Sequence, residues 1–131
     1  ATPLIYDETQ KFEFGKGIQI GDGTDATIFA TGVVVPEAIK AKEELKKEGI
    51  NIRVVDIHTI KPLDEELVIK CAKETKKLIS IEDHNIVGGL GSRVADVLLE
   101  EGVCAKLKKV GVPDTFAEIA ASIVLANCNV V

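Results

Sequence analysis

Apolar and polar residues along the chain alternate between two regimes. Compact, largely β-branched runs at ATIFAT (26–31), INIRVVDI (50–57) and KLISIE (77–82), with a weaker one at AKLKKVGV (105–112), are bounded by turn or charged residues and predict strands. Between them the apolar positions recur at helical spacing. In PEAIKAKEELKKEG (36–49), Ala38, Ala41 and Leu45 share a face flanked by Ile39. In LDEELVIKCAKET (63–75) the stripe is Leu67, Val68, Cys71 and Ala72, and in SRVADVLLEEG (92–102) it is Val94, Val97 and Leu98. Pro36 suits a first helical turn, Asp64 an N-cap, and Gly49 and Gly102 the left-handed positions beyond helix ends.

Strand starts about 25 residues apart, alternating with helices, predict an α/β fold: a three-layer α/β/α sandwich with a mostly parallel sheet and room for one antiparallel edge strand. Residues 1–25 break the rhythm. They are irregular, end in a Gly/Asp cluster, and read as a connecting arm leading into a domain over 26–131.

Composition narrows the partners. A formal net charge of −5 argues against nucleic acid or an anionic membrane surface. Runs such as VVV and SIVLA fall far short of the roughly 20 apolar residues a spanning helix needs. Cys71, Cys104 and Cys128 are odd in number and unpaired in spacing, as expected of reduced thiols in a cytoplasmic protein. The chain holds no methionine and opens on Ala1, which fits either ordinary trimming or a piece of something longer.

Candidate chemistry concentrates in SIEDHNIVGGLGSRVADVL (80–98). Gly88, Gly89 and Gly91 stand between a strand and a helix N-terminus, where free N–H groups and the helix dipole favour an anion. The spacing gives only part of a dinucleotide fingerprint, because Val94 stands where a third small residue is wanted. A tight β–α turn needing glycine explains the same residues more simply. Glu82, Asp83 and His84 lie at a strand's carboxyl end, where an acid could orient an imidazole as a general base. A histidine bonded into its own loop, or across an interface, is the plainer alternative. The candidate anion or interface loop is therefore Asp83, His84, Gly88, Gly89, Gly91, Ser92 and Arg93. His58 and Lys61, in and beside TIKPLDEE (59–66), fit strand exit and a solvated lysine.

The ordered set ATIFATG, INIRVVDIHTIKPLDEELV, LISIEDHNIVGGLGSRVADVL and VGVPDTF resembles the C-terminal domain of transketolases, especially the separate C-terminal subunits of split ones. The similarity runs from about residue 3 to residue 118. It implies a parent enzyme that moves two-carbon ketol units between sugar phosphates with thiamine diphosphate and Mg²⁺ (or Ca²⁺), held at a dimer interface by pyrophosphate- and pyrimidine-binding domains. It further implies that this domain supports assembly, that residues 1–25 connect it to a pyrimidine-binding domain, and that no catalytic, cofactor-binding or metal-binding residue lies in this chain. The expected partners are the remaining transketolase domains or an N-terminal subunit, in a homodimer. Gly21-Asp22-Gly23 mimics the start of the family's diphosphate–metal motif but has no Asn-Asn partner, and reads as a turn. The C-terminal domains of 1-deoxyxylulose-5-phosphate synthases and of 2-oxoacid dehydrogenase beta subunits are the alternatives within this resemblance; a small anion- or nucleotide-binding module is the alternative outside it. After VPDTFAE the chain departs from the family pattern, running IAASIVLANCNVV.

Overall fold

A computed structural model of the chain describes residues 3–116. The elements in chain order are β1 (Ile18–Ile20), β2 (Ala26–Ala30), a short 3-10 turn (Gly32–Val34), α1 (Val35–Lys47), β3 (Ile52–Asp56), α2 (Glu65–Thr75), β4 (Lys77–Asn85), α3 (Leu90–Glu100) and β5 (Lys106–Val112). They build one five-stranded sheet in the order β1-β3-β2-β4-β5. Every pairing is parallel except β1 with β3, where Ile18 faces Asp56 and Ile20 faces Val54.

The two faces of the sheet are covered separately. Ile28, Ala30, Ile52 and Val54 point to one side and pack against Val35 and Ala38 of α1. Phe29, Val55 and Leu78 point to the other, against Val68, Cys71 and Ala72 of α2 and Leu90, Val94 and Val97 of α3. This is the three-layer α/β arrangement that the alternating pattern implies, with one antiparallel edge strand. Chain connections from β2 and β4, which are neighbours in the sheet, run in opposite directions. The crevice beyond their carboxyl ends is thus the topological switch point, where open α/β sheets place ligands.

Helix ends follow the expected chemistry. Pro36 sits in the first turn of α1, and the Asp64 carboxylate accepts the N–H of Leu67 at 3.2 Å to cap α2. Gly49 and Gly102 take positive φ beyond α1 and α3. The cap of α2 is less expected: Lys76, not a glycine, holds the left-handed position at φ 56°.

The structure differs from the periodicity reading at two places. Ile18–Ile20, within the irregular N-terminal stretch, joins the sheet as its antiparallel edge. Three residues between glycines are too short to show an alternation. And β4 runs three residues past Glu82, to Asn85. There its ladder with β5 shifts register between Ile81 and Asn85, re-aiming the side chains at the strand's end. The IAASIVLANCNVV terminus and Cys128 lie outside the described residues.

The arm ahead of β1 is fastened along its length. Ile5 packs with the α1-side core, and the Tyr6 hydroxyl donates to Asp56 Oδ2 at 2.8 Å. The Phe12 ring meets Tyr6 and His58 edge-to-face, with centroids 5.3 and 5.5 Å apart. The Gly17 N–H donates to Asp64 Oδ2 at 3.0 Å, so Asp64 holds both the arm and the cap of α2. Burial, followed by the hydrogen bond and charge of Asp56, holds the Tyr6 phenol well above its ordinary pKa.

Candidate functional site

Alternation along β4 settles what the acid at its end does. Leu78, Ser80 and Glu82 share the face covered by α2 and α3, and Glu82 is only 3% exposed. A carboxylate in that position needs partners. It finds them in the first turn of α3, accepting the N–H of Leu90 at 2.7 Å and of Gly91 at 3.0 Å. These are the orphan donors at the positive end of the helix dipole that a bound anion would use. The chain's own carboxylate occupies them.

The glycines follow from this geometry, each for its own reason. A Cβ on Gly89 would stand 1.9 Å from Glu82 Oε2, so only glycine lets the carboxylate reach the helix. A Cβ on Gly91 would meet Ser80 Oγ at 2.4 Å, fixing how closely α3 lies on β4. Gly88 supplies a positive φ of 80° in open space. The loop is braced from within. Ser92 Oγ accepts from the Gly88 N–H and from Lys109 Nζ, both at 3.0 Å, and donates to the Ile86 carbonyl at 3.1 Å. Asn85 Oδ1 accepts the Val87 N–H at 2.8 Å. Arg93 pairs with Glu65, tying α3 to α2.

His84 does not pair with Asp83. Both side chains are exposed, and His84 Nδ1 lies 2.8 Å from the Asn85 carbonyl oxygen and 3.9 Å from Glu82 Oε2. Of the residues singled out in the sequence, the fold thus brings Gly88, Ser92 and His84 around one loop and sends Arg93 to a neighbouring helix. The residue that organises the loop is Glu82. Its signal was its parity with Leu78 on a strand whose inner face is apolar.

Beside the loop lies a cleft of about 400 Å³ at the switch point, lined by Thr31, Val33, Ile60, Glu82, Asp83 and His84 among others. A second hollow of about 390 Å³, sharing Ile60, Gly88 and Gly89, extends past Lys61 and Pro62 to Arg93. The size suits a small molecule or an inserted side chain.

The α3 N-terminus does not fit the diphosphate of a thiamine cofactor. The helix N–H groups suited to a diphosphate are taken by Glu82. In the Gly21-Asp22-Gly23 turn, Asp22 Oδ1 accepts from Gln19 at 3.1 Å, and a Cβ on Gly23 would collide with the Ile52 backbone at 2.2 Å. No group of three or more His, Cys, Asp or Glu among the described residues is arranged to hold a metal. Cys71 is fully buried, and burial is the largest cause of the upward shift of its thiol pKa, so it packs as a small hydrophobe. Among the described residues no helix is long and apolar enough to cross a membrane.

Comparison with known proteins gives the family. The family model described as transketolase, C-terminal domain, matches residues 15–129. A candidate transketolase C-terminal section from Methanocaldococcus jannaschii is 46% identical over 117 residues, covering 88% of this chain and 36% of that protein. A 1-deoxy-D-xylulose-5-phosphate synthase from Syntrophotalea carbinolica is 40% identical over 112 residues, covering 86% and 18%. Among solved structures, a split gene transketolase described as an inactive beta4 tetramer superposes with a TM-score of 0.89 at 38% identity, over 97% of this chain and 42% of that one. The chain therefore spans about a third or less of the two relatives' length. With its fold, its ordered motifs and the family model in agreement over most of its length, it belongs to the transketolase C-terminal domain family.

Proposed function

We propose that this domain is the assembly portion of a transketolase that moves two-carbon ketol units between sugar phosphates in the cytoplasm, as in a pentose phosphate pathway. Thiamine diphosphate and Mg²⁺ (or Ca²⁺) are bound by other domains, and the isolated domain is catalytically silent. The observation that carries this reading is the likeness to a split gene transketolase over 97% of the chain. The internal use of the α3 N-terminus by Glu82 supports it, because the helix N–H groups a diphosphate would use there are already filled. On this reading residues 1–25 lead in from a pyrimidine-binding domain, and the working enzyme is a homodimer of the complete unit.

Calorimetric titration with thiamine diphosphate and Mg²⁺ tests the first half. The expected result is no heat from the chain alone, with ketol transfer appearing when the remaining transketolase portion is supplied. Cofactor binding or ketol transfer by the chain alone would overturn it. The 40% identity to a 1-deoxyxylulose-5-phosphate synthase carries a second reading, in which the same domain serves that enzyme. Complementation by the catalytic portion of such a synthase, and not by that of a transketolase, would select it.

A further inference from the structure

We infer that the carboxyl end of the sheet is the face on which the cofactor-binding portion of the enzyme docks, inserting an apolar side chain into the switch-point cleft. This rests on the assembly reading above and names the surface that performs it.

Three observations converge. First, Phe12, Phe14, Val33, Ile60 and Val87 are five of the nine large apolar side chains exposed among the described residues, and all belong to this end. Val33, Ile60 and Val87 follow the carboxyl ends of β2, β3 and β4. Phe12 lies against His58 just past β3, and Phe14 precedes Gly15, which rests on Pro62. Scattered exposed apolar residues are ordinary, but a gathering at one end marks a contact surface.

Second, the cleft among them is closed to the ligand its position suggests. At a switch point with a helix N-terminus the default guest is a phosphate. Here the donors at that terminus are spent on Glu82, and Val33 and Ile60 line the cleft. Glu82 and Asp83 also line it and repel an anion, whereas the Val33 and Ile60 walls suit an apolar side chain.

Third, the face is continuous with the arm. Phe12 and Phe14 belong to the segment that Tyr6–Asp56 and Gly17–Asp64 fasten to this end, and that segment precedes the matched family domain, which begins at residue 15. The M. jannaschii relative extends well beyond the 36% matched here, so its additional length supplies the class of body expected to sit here. A second copy of this chain is the competing occupant.

The test uses the full chain with Val33→Asp, Ile60→Asp and Val87→Asp, and Leu99→Asp on the outer side of α3 as control. All four positions are exposed, so urea midpoints should stay near wild type and confirm folding. The probe is the pyrophosphate- and pyrimidine-binding portion of the transketolase as a separate chain, titrated by calorimetry, with sedimentation of the chain alone in parallel. The expected result is binding by wild type and Leu99→Asp, weakened roughly tenfold or more in the three face variants. Equal binding by all variants would overturn the docking face while leaving the assembly role standing. No binding even by wild type would remove both. Loss of self-association in the face variants, with portion binding unchanged, would assign the face to a second copy instead.

Discussion

Removing the carboxylate at Glu82 tests the account of the glycine loop most directly. In Glu82→Gln one amide oxygen can still accept an N–H, but the amide nitrogen must face the other donor. One charge-assisted bond becomes neutral, costing about 1 kcal/mol, and a buried N–H is left unsatisfied, costing about 1–3 kcal/mol. The expected loss is about 2–4 kcal/mol, well above the roughly 0.5 kcal/mol of an exposed change such as Asp83→Asn. With a urea slope of about 2 kcal/mol per molar, the midpoint of a denaturation curve followed by circular dichroism falls by about 1–2 M. Glu82→Ala should add a signature that packing loss alone does not give. Formate, the same anionic group without its chain, should raise the midpoint of Glu82→Ala and leave wild type unmoved, because it can bind the freed N–H groups. A loss below about 0.5 kcal/mol in Glu82→Gln would refute the capping role. Equal stabilisation of wild type and Glu82→Ala by formate would show that the helix terminus was open all along.

Tyr6 is the sole tyrosine and the chain has no tryptophan, so absorbance near 295 nm reports its ionisation alone. The midpoint should lie above the ordinary phenol range. Because the folded pKa is raised, its stabilising contribution is complete below the unfolded value and is lost as pH rises through the folded one. A midpoint near 10 would mean that the arm does not hold its seat on Asp56. Thiol labelling of the folded chain should mark exposed Cys104 promptly and buried Cys71 only on unfolding, as read by peptide mapping; equal rates would contradict the α2-side core. Lys76→Gly should raise stability by about 0.5–1 kcal/mol, because it relieves a left-handed lysine at a helix cap, less the greater freedom of glycine when unfolded. A lower midpoint would show that the lysine side chain contributes more than its backbone costs.

Much of the fold was legible because it is local. The β-branched runs, the stripe of Val94, Val97 and Leu98, and the cap at Asp64 each announce themselves within a few residues. The antiparallel edge Ile18–Ile20 was not, since what makes it a strand is the β3 backbone some 35 residues on, not its own pattern. The site shows the same division. The glycines declared a turn, but Glu82, the partner that dictates Gly89, is not a local capping residue: it reaches α3 from eight positions before Leu90. Asp83 and His84, which looked like a pair on paper, separate because β4 continues through them with its register shifted.

Asp64 gives the molecule a mechanical property. One carboxylate grips the backbone of the entering arm at Gly17 and the first turn of α2 at Leu67. Whatever body is joined through that arm is therefore not on a loose tether. A tug on the arm loads the short β1–β3 ladder in shear, and a twist at Gly17 reaches the foot of α2 through the Asp64 side chain. The junction behaves as a stiff lever: displacing the arm at Gly17 pulls on the carboxylate whose other oxygen caps α2.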